Sequence, residues 1–319
     1  MRCCVFGGTG FIGSRVTALL AAGGDREVIA IGRSQAPVRP IPAVAKYVSG
    51  TYADKSFLRR ILAGADEVVD LAYSTIPHTS FVDPVHDIVD NLPPTVGLLQ
   101  IASELGVKKL VMVSSGGTVY GVARSLPIAE DHPTFPISPY GITKLAAEKY
   151  ASMFHHIYGL PVAIARPGNA YGEGQKPLTG QGFVAEAIAR ILAGETISLF
   201  GSEGTVRDYI HVDDVASGIV AVLERGASGG CYNVGTGQGR NNREVLDALA
   251  PLARRSGRRI EVQTLPPRKF DVPANVLDSG RLARESGWKP RIEFGEGIER
   301  AWNAALRDRS APAPTNARS

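Results

Sequence analysis

Little in this chain points to a metal, a membrane or an export route. It has three cysteines in 319 residues. Cys3 and Cys4 are neighbours in an apolar run, where successive side chains face opposite ways, so they are poorly placed to pair with each other, and Cys231 stands alone. No Cys-x-x-Cys or Cys/His spacing suited to a metal occurs. Small buried residues in a reducing compartment are the expectation. No apolar stretch reaches the ~18 residues that suggest a membrane span, and no charged, apolar, cleavable leader pattern precedes the first predicted strand. A cytoplasmic protein is therefore expected. Charge of one sign is also scarce: 35 basic residues face 31 acidic ones, a net of +4. The one basic cluster, Arg254, Arg255, Arg258 and Arg259, reads as a solvated helix end and turn rather than the stripe a nucleic acid requires. Neither nucleic acid nor membrane is an expected partner; an anionic small molecule is.

What the chain does have is rhythm. Strand-like runs at 2–6, Val28–Ile31, Val44–Val48, Glu67–Ala72, Lys109–Val113 and Pro161–Arg166 alternate with helical spacing at Ile12–Leu20, Ser56–Leu62, Asn91–Leu105 and Tyr140–Tyr158. Short β-branched runs joined by helices predict right-handed βαβ units, hence an α/β fold with a doubly wound parallel sheet. After Arg166 glycine and proline punctuate the chain (RPGNAYGEG, PLTGQG, LFGSEG). The expectation is a dinucleotide-binding domain over 1–166, its sheet completed by parts of 205–235 as the chain returns near Asp208–Leu223. A smaller C-terminal substrate-binding lobe would occupy mainly 167–306, and a disordered tail 307–319, poor in bulky apolar residues.

Between the first strand and first helix lies Gly7-Gly8-Thr9-Gly10-Phe11-Ile12-Gly13. Glycines at 7, 10 and 13 allow a tight turn, close approach of backbone to a pyrophosphate, and close helix–strand packing. The helix start at Phe11 and Ile12 offers free N–H groups to the diphosphate. Dinucleotide binding follows from this loop in its strand–loop–helix setting. At the end of the second strand an acidic residue would accept hydrogen bonds from the adenosine ribose, but Gly32, Arg33 and Ser34 stand there. Arg33 is read either as a partner for a 2′-phosphate or as a surface arginine, which leaves NAD and NADP both open.

Tyr140-Gly141-Ile142-Thr143-Lys144 sets a tyrosine and a lysine on one face of a helix start. A lysine cation there favours the phenolate and suits the tyrosine to proton transfer. Upstream, a strand runs into Ser114-Ser115-Gly116-Gly117-Thr118-Val119-Tyr120-Gly121, a hydroxyl cluster beside the expected nicotinamide site. With GGTGFIG, the strand ending DLA, RPGNAYG, RDYIHVDDVA, YNVGTG and PPRKFDVP, these segments resemble the extended short-chain dehydrogenases, in particular their UDP-galactose 4-epimerase group, over nearly the whole chain to about residue 305. The resemblance implies a nucleotide-sugar epimerase using bound NAD. Tyr140 would be the acid or base at the sugar hydroxyl, and Lys144 would hold the nicotinamide ribose. Asn169 would contact substrate, and Arg207 and Arg268 would clamp the diphosphate. Leu71, Ala72 and Asn91 would lie along the cofactor, and Ser114 would point at it. It also implies a homodimer through the Tyr140–Tyr158 helix.

One departure matters. The family's catalytic hydroxyl sits four residues before the tyrosine of the VYG segment, a place held here by Gly116. Thr118, the preferred substitute, or Ser115 must then supply it, although Thr118 could also serve only as a loop cap. The Asp-Glu pair that related 4,6-dehydratases carry is replaced by Gly117-Thr118. A reductase of a keto-sugar or other carbonyl using NADPH is the enzyme alternative, and a dinucleotide-sensing protein without catalysis the non-enzyme one. His211, Asp213 and Asp214 are read as a packing residue and the first turn of a Val215–Leu223 helix. His155 and His156 are read as solvated helix-end residues. Arg268, on a loop stiffened by Pro266-Pro267, has a plain surface arginine as its alternative reading.

Overall fold

The computed structural model describes residues 1–177, 182–268 and 271–310. Seven parallel strands form the central sheet, in the spatial order Cys231–Val234, Val162–Pro167, Lys109–Val113, Glu67–Asp70, Arg2–Phe6, Glu27–Gly32, Lys46–Ser49. Strand order reverses between Arg2–Phe6 and its neighbours Glu67–Asp70 and Glu27–Gly32. In an open α/β sheet, the crevice beyond the strand C-termini at such a reversal is where ligands bind.

Apart from the edge strand Lys46–Ser49, the strands are largely buried on both faces, as their near-continuous apolar runs require. Cys4, Phe6, Ile29, Val68 and Leu110 pack under helices Lys55–Leu62, Pro84–Glu104 and Pro139–Tyr158. Cys3, Val5, Val28, Val69 and Val111 pack under Phe11–Ala22 and Val212–Arg225. The adjacent Cys3 and Cys4 thus lie in different cores, and both are free. A third core joins helices Phe183–Ala193, Asn242–Arg255 and Phe294–Ser310 around Tyr171, Tyr209 and Trp302. Beside it, Val206–His211 pairs with Asn169–Tyr171, Ala274–Asn275 and Gly239–Arg240, and Ile197–Phe200 pairs with Val262–Leu265.

The structure differs from the sequence reading in several places. The helix expected over Asn91–Leu105 is Pro84–Glu104; the Asp83 side chain accepts from His86 N at 2.9 Å and Pro84 stands at the first position. Pro93 and Pro94 lie inside it. An interior proline costs ~3 kcal/mol, and burial of Leu98, Leu99, Ile101 and Ala102 on the same helix opposes that cost. The Asp208–Leu223 stretch divides. Its strand joins the small sheet, and helix Val212–Arg225 covers the central one. Residues 307–310, expected in a disordered tail, continue the Phe294–Ser310 helix, and 311–319 lie outside the described residues. No helix among the described residues is long and apolar enough to cross a membrane.

Candidate active site

A cavity of about 1190 Å³ opens at the strand C-termini. It exceeds the ~300–1,000 Å³ of an ordinary small-molecule pocket. Gly7, Gly10, Phe11, Ile12 and Gly13 line one end, and Phe200, Tyr209, Arg207 and Arg268 the other; Ser114, Ser115, Thr118, Tyr140, Lys144 and Asn169 line it as well.

The glycine loop has the shape its residues predict. Gly7 takes φ +72°, and its N–H donates to Ile31 O at 2.9 Å. A Cβ on Gly13 would lie 2.0 Å from Gly7 O, so any side chain there would drive the helix off the loop. Gly10 caps the Phe11–Ala22 helix with no side-chain hydrogen bond. The first N–H groups of that helix are therefore available to an anion.

Tyr140 and Lys144 are placed by the start of the Pro139–Tyr158 helix. Ser138 Oγ accepts from Gly141 N and Ser80 Oγ accepts from Tyr140 N, each at 3.1 Å. Lys144 is buried; its Nζ donates to Val113 O at 3.0 Å and lies 3.9 Å from the Tyr73 ring centroid and 5.8 Å from that of Tyr140. Burial brings the Lys144 ammonium down to about 8, against the opposing charges of Asp70, Glu148 and Asp87. Burial, reinforced by Asp87, raises the Tyr140 phenol. The lowering expected from Lys144 is not found: desolvation of the phenolate and the Asp87 charge both act upward. Asp70, fully enclosed at the strand end, is pushed up to about 6 by burial, with Lys144 pulling the other way.

The hydroxyls sort themselves by orientation. Ser114 Oγ and Thr118 Oγ1 are buried and find no hydrogen-bond partner among the described residues. Native chains satisfy nearly all such atoms, so two orphaned hydroxyls in the cavity wall fit a site that a polar ligand completes. Ser115 also reaches the cavity. Gly116 does not. A Cβ there would stand 2.5 Å from Leu277 Cδ1 and 2.9 Å from Arg166 O, so position 116 faces packed protein.

At the far end Arg207 Nη1 donates to Val206 O at 2.8 Å and Val272 O at 2.7 Å, and burial lowers its pKa. Arg268 is held by Asp271, Nε to Oδ2 at 2.8 Å and Nη2 to Oδ1 at 3.1 Å, and lies 4.2 Å from the Phe200 ring centroid. Both arginines line the cavity, Arg268 from an exposed position.

Three residues expected at the cofactor do not line the cavity: Arg33, Ala72 and Asn91. Asn91 is spent on internal bonds. Its Oδ1 accepts from Ser74 N (2.8 Å) and Ser74 Oγ (3.1 Å), and its Nδ2 donates to Thr75 Oγ1 (3.2 Å) and Asp87 O (2.8 Å). It shapes the 74–75 loop from behind, while Leu71 and Tyr73 on either side of Ala72 face inward. Tyr73, whose ring meets Tyr140 edge-on at 5.0 Å, went unnoticed in the sequence, as did Arg39, which donates to Thr9 O and Gly174 O. An aromatic directly after the DLA strand end was the available signal for Tyr73. His211 and Asp214 serve structure: His211 Nε2 meets Glu173 at 2.8 Å, and Asp214 accepts from Arg291 N and Ile292 N.

Residues 3–235 match the NAD dependent epimerase/dehydratase family. Over 304 residues, 93% of this chain and 96% of the relative, the sequence is 34% identical to the UDP-glucose 4-epimerase of Mycolicibacterium smegmatis. It is 32% identical to the dTDP-glucose 4,6-dehydratase of Streptomyces griseus, over 92% of this chain and 90% of that one. Among solved structures, the Thermus thermophilus UDP-glucose 4-epimerase in complex with NAD superposes with a TM-score of 0.87 at 37% identity, covering 95% of this chain and 98% of that chain. From these matches, the chain belongs to the NAD dependent epimerase/dehydratase family.

Proposed function

We propose that this protein is a nucleotide-sugar epimerase that inverts C4 of a UDP-hexose through a transient 4-keto sugar. The observation that carries the reading is the single cavity joining an uncapped glycine-loop helix to the Arg207–Arg268 pair, with Tyr140 and Lys144 in its wall. A nicotinamide dinucleotide bound there would supply the hydride acceptor and donor. Gly7, Gly10, Phe11, Ile12, Gly13, Leu71, Ser114 and Lys144, which line the cavity, would hold it.

Tyr140 takes the proton of the C4 hydroxyl and later returns it. Lys144, four residues on, holds positive charge near the phenolate, its Nζ 5.8 Å from the Tyr140 ring centroid. Thr118 Oγ1 donates a hydrogen bond to the sugar oxygen, with Ser115 as the second candidate. Asn169 orients the sugar, and Arg207 and Arg268 bind the diphosphate as charge-assisted donors. Gly117 and Thr118 carry no titratable group where the dehydratases place an acid pair, which favours epimerisation over loss of water.

Val85, Val89, Ile142, Met153, Ile157 and Tyr158 leave apolar surface exposed on the paired helices Pro84–Glu104 and Pro139–Tyr158, which supports a homodimer formed through them. Incubation with UDP-galactose tests the activity. Interconversion with UDP-glucose without consumption of added dinucleotide is expected; stoichiometric consumption of reduced cofactor would instead make the protein a reductase.

A further inference from the structure

Asp87 is a fully buried carboxylate with no part in the proton transfer assigned to Tyr140. It stands in the first turn of Pro84–Glu104. Its Oδ1 accepts from Thr75 Oγ1, and its Oδ2 finds no donor among the described residues. Asn91 Nδ2 donates both to Asp87 O at 2.8 Å and to Thr75 Oγ1 at 3.2 Å, which holds the carboxylate and its one partner in register. A buried carboxylate is costly unless hydrogen bonds or opposite charge answer it. The helix dipole and one hydroxyl answer part of that cost. No cation pairs directly with Asp87 among the described residues.

The cation within its field is Lys144. Pro84–Glu104 packs along Pro139–Tyr158, the helix that carries Tyr140 and Lys144. Tyr73 links that pair, its ring centroid 3.9 Å from Lys144 Nζ and 5.0 Å from the Tyr140 ring. Burial and then the Asp87 charge raise the Tyr73 and Tyr140 phenols; burial lowers the Lys144 ammonium, and Asp70, Glu148 and Asp87 oppose it. Two of those three carboxylates are otherwise committed. Glu148 is gripped by Arg166, at 3.0 Å from Nε and 2.6 Å from Nη2, and Asp70, raised by burial, keeps its proton up to about 6. The remaining charged and titratable groups stand apart. His78 lines the cavity, His86 and Asp90 form an exposed pair at 3.5 Å, and Tyr52 meets Thr95 at 3.1 Å. On the helix Lys55–Leu62, Lys55 lies beside Gly97 and Arg59 pairs with Glu104 at 2.6 Å, both farther along Pro84–Glu104.

We propose that Asp87 is a positioning residue acting by charge: the buried counter-ion that keeps Lys144 an ammonium and so sets the pH range in which the Tyr140–Lys144 pair works. The proposal rests on the roles of Tyr140 and Lys144 in the preceding reading and not on the identity of the sugar. In a site stripped of water, a carboxylate acts on a cation over several ångströms with little screening.

Side-chain NMR of the lysines in the full chain saturated with NAD⁺ reads the Lys144 titration, its resonance identified by its loss in Lys144→Arg. Asp87→Asn keeps an oxygen for Thr75 and removes the charge. It should lower the Lys144 midpoint by about half to one pH unit, a threefold to tenfold loss of proton affinity. The rate profile for UDP-galactose should shift the same way, both limbs moving to lower pH because one charge raises both groups. Asp87→Ser, neutral and smaller, should give the same shift and serves if the asparagine variant does not fold. A merely structural role would reduce rate or melting temperature and leave the Lys144 midpoint and both limbs in place, and that result overturns the proposal. A shifted Lys144 midpoint in a protein that leaves UDP-galactose unchanged would overturn the epimerase reading alone.

Discussion

Replacing Thr118 with valine exchanges one oxygen for a methyl group of nearly the same volume, and the structure fixes the sign of two separate effects. Thr118 Oγ1 is buried without a hydrogen-bond partner among the described residues, so valine breaks no bond inside the protein. An unsatisfied buried polar atom costs about 1–3 kcal/mol; its removal should leave the melting temperature unchanged or raise it by a few degrees, at about 2–4 °C per kcal/mol. Turnover should move the other way. If Thr118 is the donor to the sugar oxygen, its loss from a desolvated site costs about 2.7–4 kcal/mol, a fall of roughly 10²–10³ in kcat. KM should change much less, because the interaction strengthens as charge develops on the oxygen. Steady-state conversion of UDP-galactose, read beside a thermal melt, separates the two effects. A Thr118→Val enzyme with wild-type kcat would refute the assignment; if Ser115→Ala were then severely impaired, the donor would be Ser115.

Tyr140→Phe should lose roughly 10²–10⁴ in turnover while keeping its dinucleotide, and Lys144→Ala should lose both rate and bound nucleotide, as measured by extraction from the purified variants. Arg207→Ala and Arg268→Ala should each weaken UDP-glucose binding by about 1.5–3 kcal/mol. Arg207→Ala should also lower the melting temperature, since Arg207 ties Val206 to Val272. Equal affinity for glucose and UDP-glucose would defeat the diphosphate assignment. Asp70 keeps its proton up to about 6 in the fold against 3.8 otherwise. In that window the unfolded chain binds fewer protons, so stability from this group falls as pH rises from about 4 to 6. Asp70→Asn should flatten that slope in denaturation measured across pH, and an unchanged slope would remove Asp70 as its source.

The sequence by itself determined the parallel doubly wound sheet and the site's two anchors, because both are local. Apolar periodicity dictates which face of each strand and helix is buried. The glycine loop needs only Gly7 and Gly13 to shape itself, and Tyr140 and Lys144 share a helix face by spacing alone. Side-chain direction in loops has no such period, and there only the tertiary structure decided. Whether position 116 could carry a catalytic hydroxyl depends on Leu277, and on a bond from Asn275 Nδ2 to Gly116 O that spans 159 residues of chain. That Asn91 supports the 74–75 loop, through bonds to Ser74, Thr75 and Asp87, was likewise decided by the tertiary structure. Tyr73 entered the site, and Thr118 kept an unpaired hydroxyl in its wall, for the same reason: an orientation set by packing between distant segments is not written in the residues beside it.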